Sequence, residues 1–293
     1  MINNASNIAL GTVQFGLPYG VSNTNGQVSS SEVSKILALA KSEGIHTLDT
    51  AIAYGSSETV LGEHNLEAFD IITKLPFIPE DVSDITGWIE EQMIGSLDRL
   101  NIPKANAVLL HRPEQLLSEI GVEIYAALTS LKSRGLTERI GISIYSPDEF
   151  LNLSRDFRFD LIQAPFNILD TRLQDAGAFD VLKSQETNLH VRSIFLQGLL
   201  LMDKKQRPNS FNQWSQLWTK WEEWLKENDL TPLEACIRHA LSIPQIEKVV
   251  VGVDSANQLQ EIVTAADGNL PIIPPDISCR DEKLLSPHLW NQL

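Results

Sequence analysis

Three polar side chains sit at or near the ends of three successive apolar runs in this 293-residue sequence. Asp49 closes the run 46–50, Lys74 lies near the end of 70–75 and His111 ends 107–111, with Tyr54 a few residues beyond the first. A phenol, an ammonium, a carboxylate and an imidazole brought together suit proton transfer to a carbonyl oxygen. Unperturbed phenol has a pKa of about 10, too high for easy donation at neutral pH. A neighbouring ammonium favours the phenolate and lowers that pKa, while a carboxylate keeps the ammonium charged and oriented. The imidazole can hydrogen-bond the carbonyl and position it. Taken singly, a histidine at a strand end is more often a satisfied polar residue than a catalyst. Four residues from separate segments in this arrangement point the other way, provided the strand ends converge on one mouth.

The elements that would achieve this convergence are legible along the chain. Short runs rich in Val, Ile and Leu occupy 8–13, 46–50, 70–75, 107–111, 139–143, 161–166, 190–196 and 248–252. Consecutive apolar positions suit parallel strands buried on both faces. Eight such runs alternating with helical patterns predict an α/β fold, a single (β/α)8 TIM barrel, with a doubly wound open sheet as the alternative. Ser29 with Glu32, Ser146-Pro147-Asp148-Glu149 and Thr231-Pro232-Leu233-Glu234 read as capping boxes, and Ser255 to Gln258 as a weaker version. Ile85, Trp88, Ile89, Met93, Leu97 and Leu100 recur at helical spacing, as do Ile120, Ile124, Leu128 and Leu131 before Gly135. No linker or composition shift divides the chain. One domain over 1–293 is expected: a core over about 8–268, then a C-terminal extension over 269–293 that begins at the proline-rich stretch Pro271 to Pro275.

Composition removes several classes of function. The chain is 43% hydrophobic and 21% charged, ordinary globular values, with a formal net charge of −15. Such acidity disfavours non-specific binding to nucleic acid or anionic membranes. Cys236 and Cys279 form no CxxC pair, and His64, His239 and His288 lack ligand-spaced partners, so no metal site is expected. The start, Met1 to Asn7, lacks a basic region followed by an apolar core, and no apolar run approaches the ~18 residues of a membrane span. A cytoplasmic protein is the expectation.

The strongest motif is Leu48-Asp49-Thr50-Ala51-Ile52-Ala53-Tyr54-Gly55-Ser56-Ser57-Glu58, continuing to Leu61-Gly62. With Thr73-Lys74 and Leu109-Leu110-His111-Arg112-Pro113 it resembles the aldo-keto reductase family in spacing and order. The likeness continues through Gly141-Ile142-Ser143, Gln163-Ala164-Pro165-Phe166-Asn167, Gln197-Gly198-Leu199-Leu200 and Val251-Gly252. This resemblance implies reversible hydride transfer between a nicotinamide cofactor and an aldehyde, ketone or sugar carbon. Tyr54 would be the general acid/base, Lys74 and Asp49 would tune it, and His111 would orient the carbonyl.

The same resemblance assigns Ser143 and Gln163 to the nicotinamide carboxamide. It brings the phosphates to backbone donors from Ser193 to Gln197 and to the turn from Gly252 to Gln258, including Asp254 and Ser255, with Thr12 beside them. That turn opens a helix N-terminus, which attracts anions. Arg192 stands where many members stack an aromatic on the nicotinamide; a guanidinium there can stack or hold a phosphate. NADP(H) is the expected cofactor, with NAD(H) as the alternative because Asp254 would repel a 2′-phosphate. The segment Phe15 to Gly20 should overhang the mouth; with Leu10 to Gln14 it resembles a bacterial branch associated with surface-sugar metabolism. A redox-neutral sugar epimerase with retained cofactor and a nicotinamide-binding regulatory subunit are the rival functions. Trp214, Trp218 and Trp221 read as a packing face against the barrel, with an aromatic sugar platform as the alternative.

Overall fold

The computed structural model describes residues 4–20 and 26–292. Residues 1–3, 21–25 and 293 lie outside the described residues, and with them part of the N-terminal stretch read above for a leader. All eight apolar runs become strands: β1 (Ile8–Gly11), β2 (Thr47–Asp49), β3 (Asp70–Leu75), β4 (Ala105–Leu110), β5 (Thr137–Ser143), β6 (Leu161–Pro165), β7 (Asn188–Arg192) and β8 (Lys248–Gly252). They pair in parallel in sequence order, and β8 closes on β1. Closure rules out the open sheet. The seventh run stops as a strand at Arg192, short of 196, because Ser193 and Leu196 adopt φ of 63° and 48°. Those left-handed values cannot continue a strand.

The helices in chain order are α1 (Val13–Gly16), α2 (Ser30–Ser42), α3 (Ser57–Gly62), α4 (Ile85–Leu100), α5 (Gly121–Ser133), α6 (Pro147–Leu153), α7 (Arg172–Asp175), α8 (Ala178–Ser184), α9 (Ser215–Glu227), α10 (Pro232–Leu241), α11 (Ala256–Ala265) and α12 (Glu282–Leu285). Their caps follow the expected residues with two exceptions. Thr231 and Glu234 form a reciprocal capping box at α10, and Ser255 caps α11 by accepting from Gln258 N. Ser29 caps α2, but the Glu32 carboxylate turns away to Lys35 and to the backbone N–H of Ala256. At α6 the Ser146 side chain makes no cap bond, while the Glu149 carboxylate accepts from the backbone N–H groups of Ser146 and of Tyr145, the latter at 2.8 Å.

The barrel interior is tiered. At the N-terminal ends of the strands, Glu247 accepts from Arg139 at 3.0 Å and meets His190 Nε2 at 3.1 Å. Arg139 is on β5 and Glu247 precedes β8, strands that are not neighbours, so this cluster spans the lumen and floors it. Burial alone would raise the Glu247 carboxyl, but His190 and Arg139 hold it down at about 2. The short turn Asn4–Asn7 tucks against this end, with Ala5 buried and Lys248 Nζ donating to Ser6 O. Above lies an apolar layer of Ile72, Ala107, Leu109 and Leu161. Above that come the polar residues of the site.

A second core forms beside the mouth. Trp218, Trp221 and Trp224 on α9 pack with Leu199 and Leu200 after β7, and with Ile277, Leu284 and Leu285 of the C-terminal extension. The tryptophan face therefore packs, as expected of such a stripe, but its partners are the extension and the loops after β6 and β7. Four of the indole N–H groups find acceptors: Trp214 on Asp281, Trp218 on Phe211 O, Trp224 on Ile272 O and Trp290 on Leu284 O. Large apolar bodies with satisfied polar ends anchor the extension there. No helix among the described residues is long and apolar enough to cross a membrane.

Candidate active site

The C-terminal ends of β2, β3 and β4 are adjacent in the closed sheet, so Asp49, Lys74 and His111 converge. Lys74 is wholly buried and Asp49 is 3% exposed. An ammonium has three N–H donors, and all three are assigned. Lys74 Nζ donates to Asp49 Oδ1 at 2.7 Å, to Thr50 O at 2.8 Å and to Tyr54 Oη at 3.5 Å. The other Asp49 oxygen accepts from Gln163 Nε2 at 2.6 Å, across the barrel from β6, and Ser143 Oγ lies 3.5 Å from Gln163 Oε1. Burial on its own would lower the Lys74 pKa, but Asp49 and Tyr54 outweigh it and raise it above the ordinary range. The lysine is a fixed cation.

Tyr54 lies in the turn after β2, and two glycines set its place. A Cβ on Gly16 would fall 1.9 Å from Tyr54 O and 2.4 Å from Ser57 N. Gly55 turns the chain with φ 58°, and a Cβ there would meet Gly16 O at 2.6 Å. Only two backbones without side chains can meet so closely. Beneath them, Ser57 Oγ donates to Thr12 O and Thr12 Oγ1 to Asp49 O. Thr12 is thus committed to a buried hydroxyl network, though it also lines the cavity. The motif glutamate is structural: Glu58 accepts from Thr73 and Ser96 at 2.6 Å each and pairs with Arg99 at 2.8 Å.

His111 faces Tyr54 edge-on, with ring centroids 5.8 Å apart. Burial, then the cations Lys74 and Arg192, push its pKa down to about 4. At neutral pH it is a neutral imidazole, able to donate a hydrogen bond without carrying charge.

A cavity of about 660 Å³ opens above Tyr54 and His111 and runs to the turn after β8. Thr12, Arg192, Ser193, Gln197, Gly252, Asp254 and Gln258 line it, while Ser143, Gln163 and Ser255 do not. Leu17, Tyr19 and Gly20 overhang it, as the sequence suggests for that segment. The loop after β7 holds Leu196, Gln197 and Gly198 at positive φ, and Gln197 Nε2 donates to Tyr19 Oη across the mouth. Such volume and elongation suit an extended nucleotide. Gln14 Oε1, buried in the wall against Gly252, has no partner among the described residues and offers an acceptor to a ligand. The N-terminus of α11 is less open to anions than expected. Ala256 N already donates to Glu32, Gln258 N to Ser255, and Asp254 N to the Gln258 side chain. Asp254 and Glu261 make that end of the cavity acidic.

Sequence reasoning missed Tyr145 and His288. Tyr145 lies two residues beyond Ser143 at the end of β5, a place that marks it as a mouth residue. His288 carries no local signal; it reaches the cavity because Leu285 is anchored in the second core.

Comparison with known proteins agrees with this architecture. No curated protein matches the sequence. Among solved structures, aldo-keto reductase AKR11C1 from Bacillus halodurans is 20% identical with a TM-score of 0.72, the match covering 91% of this chain and 88% of that one. The glycerol dehydrogenase AKR11B4 from Gluconobacter oxydans is 19% identical with a TM-score of 0.70, covering 91% and 88%. PA4992 of Pseudomonas aeruginosa is 23% identical with a TM-score of 0.66, covering 89% of each chain. At these identities the likeness is one of fold. The sequence match to the aldo/keto reductase family extends over residues 7–273, from the turn before β1 to beyond α11. On that match the chain belongs to the aldo/keto reductase family of oxidoreductases, enzymes that typically depend on NAD(P)H.

Proposed function

We propose that this enzyme reduces the carbonyl group of a small aldehyde, ketone or sugar derivative, with Tyr54 as the proton donor. The observation that carries this reading is the saturated Lys74 ammonium, which spends its third N–H on the Tyr54 oxygen. Ser193, Gln197, Gly252 and Gln258 would hold NAD(P)H, assisted by Gln14, and Ser143 and Gln163 lie deeper in the same lumen. Held there, the dinucleotide would supply hydride-donor chemistry at the carbonyl carbon.

The protein's own groups handle the oxygen. The Tyr54 hydroxyl delivers its proton to the carbonyl oxygen as negative charge builds there. The phenolate left behind is stabilised by the ammonium 3.5 Å away, which moves no proton itself. Asp49 keeps that ammonium charged in a buried setting, and Gln163 keeps Asp49 in place. Neutral His111 donates a hydrogen bond to the same oxygen and orients it. In the reverse direction each step runs backward.

The acidic lining at Asp254 and Glu261 favours NAD(H), since a 2′-phosphate there would face carboxylates at short range. We place the protein in the cytoplasm, acting on a small carbonyl compound. A surface-sugar role gains no support from the matched structures and forms no part of the proposal. Consumption of NADH and NADPH with a panel of aldehydes, ketones and sugars, with product identification, tests the reading. Conversion of a sugar without added cofactor would favour an epimerase, and no turnover with any carbonyl would refute the proposal.

A further inference from the structure

The reacting end of the cavity carries more positive charge than protonation of a carbonyl requires. Arg192 lines it beside Tyr54, His111 and Tyr145. Its guanidinium carbon lies 4.8 Å from the centre of the Tyr145 ring, and that of Arg112 lies 5.8 Å from the same ring. The platform is fixed: Glu149 holds the Tyr145 backbone N–H, and His288 meets the ring edge-on at 5.6 Å.

Arg192 has donors to spare. Nη2 donates to Ile144 O at 2.9 Å and Nη1 reaches Ser193 Oγ at 3.5 Å. A guanidinium has five N–H groups in a planar fork, and Arg192 forms no ion pair with a carboxylate among the described residues. The nearby anions have other hydrogen-bond partners. Asp49 is spent on Lys74 and Gln163, Glu149 accepts from the backbone of Tyr145 and Ser146 and meets Arg192 only through space, and Glu114 lies 3.9 Å from Arg112. Among the charges acting most strongly on His111, Lys74, Arg192 and Arg112 are cationic and Asp49 alone is anionic. In a chain of net charge −15, a cationic pocket opposite an acidic far end is a directed field.

We infer that Arg192, stacked on Tyr145 and backed by Arg112, binds an oxyanion carried by the carbonyl substrate: a carboxylate or a phosphate. The substrate class is then the carbonyl acid or the phosphorylated carbonyl compound, and a neutral sugar would leave the fork unmatched. This rests on the carbonyl reduction proposed at Tyr54. The same oxyanion chemistry could come from the pyrophosphate of the dinucleotide, and the experiment separates the two sources.

The probes are matched pairs: succinic semialdehyde with its methyl ester, and glyceraldehyde phosphate with glyceraldehyde. The readout is the ratio of kcat/KM for the anionic over the neutral member, with NADH and NADPH Kd measured in parallel by tryptophan fluorescence. The parent enzyme should prefer the anionic member of at least one pair by about tenfold or more, and Arg192→Met should shrink that ratio by about 10–100-fold. Arg192→Lys, which keeps the charge and loses the fork, should fall between them. Equal use of both members, or a preference that survives Arg192→Met, overturns the proposal alone. A dinucleotide Kd that weakens by the same factor, with the preference intact, assigns Arg192 to the pyrophosphate and also overturns it. Turnover of no member of either pair overturns the underlying reading and this one with it.

Discussion

Replacing Lys74 with methionine separates what the buried ion pair does for stability from what it does for chemistry. The side chain is close in length but carries no charge, so packing is largely kept. Asp49, 3% exposed, would retain Gln163 Nε2 and lose its partner at 2.7 Å. An uncompensated buried carboxylate costs about 3–5 kcal/mol. At roughly 2 °C per kcal/mol for a chain of this size, the midpoint should fall by about 6–10 °C. The deficit should shrink as pH drops, because Asp49 can then escape the cost by taking a proton. Adding Asp49→Asn removes the stranded charge, so the double variant should recover about 2–3 kcal/mol relative to the sum of the single changes. Activity should not recover. Losing the cation beside Tyr54 should lower kcat/KM by about 10²–10³-fold in both backgrounds. Urea titrations at several pH values and steady-state kinetics on the four proteins read both quantities. A Lys74→Met protein as stable as its parent, or strictly additive deficits, would refute the reasoning.

Three other outcomes follow. Gly16→Ala places a methyl against Tyr54 O and Ser57 N, backbone atoms that cannot yield singly, so it should cost about 1–3 kcal/mol and about tenfold or more in kcat by shifting Tyr54; unchanged kcat would show that the contact does not position the phenol. Asp254→Ser should improve NADPH affinity relative to NADH by about fivefold, on the scale of one removed charge near a screened 2′-phosphate, and titration with each dinucleotide checks it. Stability should fall in mild acid. His111 and His239 have folded pKa values of about 4 against an ordinary value of about 6.5, because burial disfavours their charged forms. The unfolded chain takes up those protons first, so the contribution is complete above about 6.5 and is lost as pH falls toward 4. Between pH 6.5 and 5 this is about 2 kcal/mol for His239, which stacks on Phe166. His239→Phe should flatten that part of the curve, and an unchanged slope in urea midpoints would contradict the assignment.

The barrel was readable because parallel strands buried on both faces leave continuous apolar runs, and all eight were found in order. Strand ends were less legible where backbone conformation prevails over composition. Ile194 and Leu196 look like strand residues, yet Ser193 and Leu196 turn the chain with positive φ and the leucine packs into the second core. The residue types of the site were readable because they sit at fixed offsets from strand ends. Contacts made by long-range packing were not. The extension reaches the mouth through tryptophans some 60 residues earlier in the chain, as in Trp214 with Asp281, whose separation is 67. Nothing near His288 records that. Likewise Ser146 and Glu149 read as a local cap, and only the fold shows that the serine hydroxyl takes no part and that Glu149 also holds Tyr145 N.

The central claim is that the Tyr54 hydroxyl supplies the proton at the carbonyl oxygen. Its most direct test is the single-turnover rate of cofactor oxidation by Tyr54→Phe at saturating carbonyl substrate, with dinucleotide Kd measured on the same protein. The account predicts a rate lower by about 10³-fold or more, with Kd within about threefold of the parent. A single-turnover rate within about tenfold of the parent, at comparable Kd, would contradict it.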